Sequence, residues 1–135
     1  MAEKTIDILV VDDNKKQGKE ILGILVDEFQ ERGYAVQQKN SAATYLDVLK
    51  LYKRYSHSLV LVNGKTDYSN PERTISLIRM LSAFNTNEQS HIVLYLEDNS
   101  NGCRRDGNTQ IDQRIQIRTS SDISAFVENY VKEKI

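Results

Sequence analysis

Three short aliphatic runs stand out along the chain, at residues 6–11, 59–62 and 91–96. Each is long enough for a strand and too short for a typical helix. Their lack of polar alternation marks strands covered on both faces. The first run stops at Asp12-Asp13-Asn14. Beyond it Ile21, Leu22, Leu25, Val26 and Phe29 recur at steps of three and four up to Gly33, predicting an amphipathic helix with a glycine stop. Tyr34, Val36 and Gln38 alternate weakly, as in a half-polar edge strand. Ser41 then fits the cap of a helix whose apolar face is Tyr45, Leu46, Leu49 and Tyr52.

The only proline, Pro71, follows Asn70 at the N1 position of a third helix, whose apolar stripe is Ile75, Ile78, Leu81 and Phe84. Residues 97–112 are polar, contain Gly102 and Gly107 and show no sustained period, so a fourth helix there is short or missing. A weak strand at 114–117 precedes a last helix at 121–134, marked by Ile123, Phe126, Val127, Tyr130 and Val131. Strands that alternate with helices imply parallel pairing through right-handed crossovers, an α/β doubly wound sheet. Five strands fit the flavodoxin-like order 2-1-3-4-5, in which ligands sit beyond the carboxyl ends of strands 1 and 3.

Composition narrows the functional classes. The 135 residues suit a single domain, 1–135, with no repeat or linker. Lys plus Arg is 18 against 19 for Asp plus Glu, which gives no electrostatic case for nucleic acid or an anionic membrane. No apolar run reaches membrane-spanning length, so a cytoplasmic protein is expected. Cys103 is the only cysteine and excludes an internal disulfide. It reads as an incidental loop residue despite its neighbours Arg104 and Arg105.

The predicted order brings Asp12 and Asp13 from strand 1 to the same edge as Asn63 from strand 3. Two carboxylates beside a carboxamide suit a hard divalent cation such as Mg²⁺. A dinucleotide or flavin phosphate would instead want glycines and free backbone N–H groups after strand 1. Asp12, Asp13 and Asn14 also have a purely structural reading, as caps on the first helix.

The run Ile8-Leu9-Val10-Val11-Asp12-Asp13-Asn14 resembles the opening of a CheY-like receiver domain of two-component response regulators, and the resemblance extends over nearly the whole chain. It implies that Asp12 and Asp13 form an acidic, Mg²⁺-holding pocket. It also implies that Leu59-Val60-Leu61-Val62-Asn63 is the strand that ends, in the family, in the phosphoacceptor aspartate. Here that position is Asn63. The family's switch Thr or Ser falls at Leu96, before Glu97, and its Lys-Pro falls at Arg118-Thr119. A neutral amide oxygen is a far poorer nucleophile toward phosphorus than a carboxylate. The lost charge also weakens Mg²⁺, and Leu96 cannot donate to a phosphoryl oxygen. Asn63-Gly64 is in addition a deamidation-prone dipeptide, for which a simple tight turn is the plainer reading.

Other candidates carry less. His57 and His91 share no metal-ligand spacing and read as surface or strand-end residues. Tyr45, Tyr52 and Tyr55 fit packing better than an exposed strip. Lys50, Lys53 and Arg54 read as a solvated helix face. No nucleophile triad or glycine-rich phosphate loop supports an enzyme.

The resulting expectation is a pseudo-receiver, not an enzyme, that acts by phosphorylation-independent protein–protein interaction. It requires no cofactor and retains at best a weak Mg²⁺ site at Asp12 and Asp13. Its partner face starts at Glu97 and ends at Ile135, and no nucleic acid or membrane is expected as partner. Two alternatives share the architecture. One is the receiver-like N-terminal wing of an ornithine, lysine or arginine decarboxylase, with a structural role. The other is an ordinary receiver carrying an engineered substitution at position 63.

Overall fold

Hydrophobic alternation on the first strand sets the layering of the domain. Ile8 and Val10 point into one core while Leu9 and Val11 point into another, and all four are fully buried. A strand with no polar face must be covered on both sides. In the computed structural model, which describes residues 4–52, 57–63, 91–96 and 112–134, β1 (Lys4–Val11) lies inside a five-stranded parallel sheet. The other strands are β2 (Tyr34–Ala42), β3 (Leu59–Asn63), β4 (His91–Leu96) and β5 (Gln113–Gln116). Their order is β2-β1-β3-β4-β5, the doubly wound flavodoxin-like order expected from the sequence.

The larger core packs Ile6, Ile8, Val10, Leu59, Leu61, Val93 and Tyr95 against two helices. These are α1 (Lys15–Glu31), through Ile21, Leu25 and Phe29, and α3 (Ser120–Lys134), through Ile123, Phe126, Val127 and Tyr130. Phe29 and Tyr130 meet edge to face with ring centroids 5.7 Å apart, the arrangement favoured by ring quadrupoles. On the opposite face Leu9, Val11, Val60, Val62, Ile92 and Leu94 meet Val48 of α2 (Tyr45–Tyr52).

Helix ends follow local chemistry. Asn14 caps α1 by accepting from Gln17 N at 3.1 Å, and Gly33 takes a positive φ of 85° just after the last turn, where a side chain would be strained. Asp47 N donates to Thr44 Oγ1 at 3.2 Å while Asp47 Oδ2 accepts from Ala43 N at 3.3 Å, a reciprocal cap on α2. Thr44 thus takes the capping role assigned to Ser41, which instead pairs with Val10 inside β2. The inward face of α2 also differs from the expected one. Leu46 is 62% exposed and Val48 is fully buried. At α3, Asp122 Oδ2 accepts from Arg118 N at 2.7 Å and Thr119 N at 3.1 Å.

A β-bulge between Ile6 and Asp7 places Asp7 opposite Gln38, and the Asp7 carboxylate accepts from Gln38 N at 3.1 Å. Several expectations lie outside the described residues. They are the helix after Pro71 with Ile75, Ile78, Leu81 and Phe84, the loop residues Gly64, Glu97, Gly102, Cys103, Arg104, Arg105 and Gly107, and Lys53, Arg54 and Tyr55. The side chains of Tyr45, Tyr52, Leu96 and Lys134 lie outside them as well.

Candidate functional site at the carboxyl edge of the sheet

Asp12 follows the last residue of β1, and its backbone prolongs the ladder by donating to Ala42 O at 2.9 Å. That extension turns its side chain to the face already occupied by Ile8 and Val10. The residue is only 2% exposed. A carboxylate so far out of water has to be met by donors. Three are present: Asn14 N reaches Oδ1 at 2.9 Å, and Asn63 Nδ2 and Tyr95 OH reach Oδ2 at 3.1 Å and 2.6 Å.

Parallel register explains why these donors converge. Asn63 at the end of β3 is the partner of Tyr95 on β4, and register partners in a parallel pair project to the same face. Both therefore face the larger core, at the edge where β1 delivers Asp12. Asn63 is 8% exposed, and the Tyr95 ring is fully buried. Only its hydroxyl needs a polar partner.

No protein-family model matches the chain, and no curated protein does. Solved structures do. The chain is similar to CheY4, a chemotaxis response regulator of Vibrio cholerae, at 14% identity over 93% of this chain and 98% of that one, with a TM-score of 0.65. It is similar to the signal receiver domain of NarL from Mycobacterium tuberculosis at 13% identity over 96% and 98%, with a TM-score of 0.67. It is also similar to TrrA of Thermotoga maritima, solved in complex with Mg²⁺–BeF, at 21% identity over 96% and 99%, with a TM-score of 0.64.

The fold is that of a response-regulator receiver domain.

In this receiver fold Asp12 and Asn63, 51 residues apart in sequence, are in direct hydrogen-bond contact. Asp13 is half-buried in the bend between β1 and α1. Leu96 pairs with Gln116 on β5, and the hydroxyl that enters the cluster belongs to Tyr95, one residue earlier. Sequence reasoning missed Tyr95 because it put the functional position at the last residue of the strand. The alternation of side chains along β4 was the signal that could have found it. Arg118 is exposed, and with the Gln116 amide oxygen turned toward it, its Nε and Nη2 donate at 2.9 and 3.0 Å. Arg118 makes none of the three bonds to Asp12 given above.

His91 opens β4, a strand-end position as expected, while His57 is buried rather than at the surface. His57 is 1% exposed beside the start of β3, with Nε2 2.9 Å from Asn40 Nδ2. Burial lowers its pKa to about 4, so the ring is neutral at physiological pH. Neutral Nε2 then accepts from the Asn40 amide. His91 is half-buried at the start of β4, with Nε2 3.2 Å from Gln113 Oε1 and its ring edge to face with Tyr130 at 5.4 Å. Among the described residues no group of three or more His, Cys, Asp or Glu side chains is placed to hold a metal ion. No described helix is long and apolar enough to cross a membrane.

Proposed function

We propose that this chain is a receiver-like signalling module that works through protein–protein contacts without being phosphorylated. The observation that carries the reading is the 3.1 Å bond from Asn63 Nδ2 to Asp12 Oδ2. A phosphoacceptor has to present an anionic oxygen to phosphorus. Asn63, in the acceptor's place, presents a neutral carboxamide whose N–H₂ is engaged with the neighbouring acid. Loss of the anion removes the nucleophile.

The same bond argues against a strong Mg²⁺ site. An ionised carboxylate offers about four lone-pair positions, and Asp12 already accepts from Asn14 N, Asn63 and Tyr95. Mg²⁺ demands near-ideal octahedral oxygen geometry, and with three positions taken Asp12 offers it at most one lone pair, on Oδ1, at a residue only 2% exposed. The pocket is organised for hydrogen-bond donors, so Asp12 acts as a structural tie between β1, β3 and β4. A protein partner then reads the face from residue 97 to 135, of which β5 and α3 are the described part. Signalling of this kind needs no turnover, which fits the absence of a nucleophile at position 63.

Two-dimensional amide NMR of the full chain with Mg²⁺ and then beryllofluoride tests the reading. The expected result is no shift at Asp12, Asp13 or Asn63 and no response in β5 or α3. Saturable shifts at those positions, propagated to β5 and α3, would mean that a working phosphorylation switch survives. Asn63→Asp incubated with a small phosphodonor and Mg²⁺ separates loss of the acceptor alone from loss of the whole site. Phosphorylation of that variant would mean that only the acceptor has changed.

A further inference from the structure

On the β1–β2 side of the carboxyl edge, a cleft of about 390 Å³ opens between α1 and α2. That volume is within the range of small-molecule sites. Its lining includes Lys15 and Lys19 from α1, Lys50 and Leu51 from α2, and Ser41 and Ala42 from β2. Asp12 lines it as well, so the cleft borders the Asp12–Asn63 pair, although Asn63 itself is not among the described lining residues.

On α1 two of these cations are placed unfavourably, whereas Lys50 sits in the last turn of α2, where a cation is favoured. Lys15 and Lys19 stand four apart on α1, a repulsive pair, and the first turn of that helix contains no acidic residue. Cations at the positive end of a helix are unfavourable. Among the described residues none of the three lysines has an ion-pair partner, while Arg32 and Lys132 elsewhere on the helices do. The two acids that line the cleft are engaged elsewhere. Asp12 is turned onto Asn14, Asn63 and Tyr95, and Asp47 closes the cap of α2. Three lysines from two helices thus line one concave, partly apolar space together with Ser41.

We propose that this cleft binds a small phosphorylated molecule, its phosphate held by Lys15, Lys19 and Lys50 with Ser41 donating a hydrogen bond, and its apolar part laid against Ala42 and Leu51. Ammonium groups bind phosphate as mobile point charges, and the ligand relieves the repulsion between them. The cleft meets the acceptor cluster only at Asp12, and phosphate binding by the three lysines does not depend on whether Asn63 can be phosphorylated.

The test is a titration of the full chain, followed by amide NMR and calorimetry, with inorganic pyrophosphate, adenosine monophosphate, sulfate and a phosphoserine peptide in parallel. Saturable shifts at Gly18, Lys19, Ser41 and Ala43 with pyrophosphate and adenosine monophosphate are expected, with no saturation by sulfate. Lys19→Gln and Lys50→Gln, both at exposed positions, should each weaken binding roughly tenfold, as expected for loss of a charged hydrogen bond. Circular dichroism of both variants should match the parent. Linear shifts, equal response to sulfate, or unchanged affinity in both folded variants would overturn the proposal. Saturation by the phosphoserine peptide alone would overturn it too, and make the cleft a docking site for a phosphorylated protein.

Discussion

Tyr95 donates its phenolic hydrogen to Asp12 Oδ2 at 2.6 Å across 83 positions of sequence. Both residues are almost wholly buried, so this bond ties β4 to β1 over the intervening β3 where water cannot compete. Neutral donors bound to buried charges are stronger than neutral pairs. Tyr95→Phe keeps the ring packing and removes only the oxygen, so it isolates the bond. It should cost about 2 kcal/mol in urea unfolding with no change in the denaturant slope. A loss below a few tenths of a kcal/mol would mean that the bond contributes nothing net.

Asn63→Asp replaces a donor to Asp12 with a second carboxylate at the same place. Two acids in contact cannot both ionise freely, so the proton affinity of the pair rises in the folded state. With folded-state proton affinity raised, stability relative to the parent is highest at low pH and lost as pH rises. The variant should therefore be close to the parent near pH 4 and clearly weaker at pH 8. Millimolar Mg²⁺ should restore part of the difference, because a cation between two carboxylates replaces the missing donor. Denaturant midpoints at both pH values, with and without Mg²⁺, check each statement.

His57 makes the parent protein lose stability as pH falls below 6.5. Its pKa falls from 6.5 to about 4 on burial. Protons then bind the unfolded chain first, and stability present above pH 6.5 is lost progressively as pH falls toward 4. At 1.36 kcal/mol per pKa unit the full loss is roughly 3 kcal/mol. Glu28 and Asp122 are also held below the usual carboxylate range, Glu28 first by its bond from Arg32 and Asp122 first by the Arg118 backbone N–H. Their contributions fade only at lower pH, below the ordinary values of 4.5 and 3.8. A His57→Gln variant should flatten the slope between pH 6.5 and pH 4.5 and leave the steeper acid limb in place. An unchanged slope would assign the loss to other groups.

Gly18 and Gly23 form an internal control on α1. A Cβ at Gly23 would meet nothing within 4 Å, while at Gly18 it would come within 3.2 Å of Asp12 Cβ. Gly23→Ala should gain up to about 1 kcal/mol from helix propensity. Gly18→Ala should fall short of that gain, because Asp12 is held by three donors and cannot retreat without lengthening one of them. Paired thermal melts of the two variants give the comparison, and equal gains would show that Asp12 is free to move.

Much of this architecture was readable because it rests on local patterning. Continuous aliphatic runs marked β1, β3 and β4, and the step of three and four in α1 reflects one buried stripe. Asp12 and Asn63 could be placed at one edge from strand order alone. The positions that went astray share a physical cause. Thr44 rather than Ser41 caps α2 because pairing with β1 carries β2 to Ala42. Propensity for a cap cannot anticipate how far a ladder will run. His57 looked like a strand-end surface residue, and it is buried beside Asn40, a contact between the β2 and β3 segments that no periodicity encodes.

The sequence by itself determined the alternation of strands and helices, the parallel order and a carboxamide, Asn63, at the end of β3. These depend on residue type and spacing within each segment and on the succession of segments along the chain. Only the tertiary structure decided that Tyr95 supplies the hydroxyl to Asp12, since a strand's side chains change face at every residue and its register against a distant neighbour selects which one points inward. The same is true of the lysine-lined cleft, whose cations come from two helices brought together by the sheet.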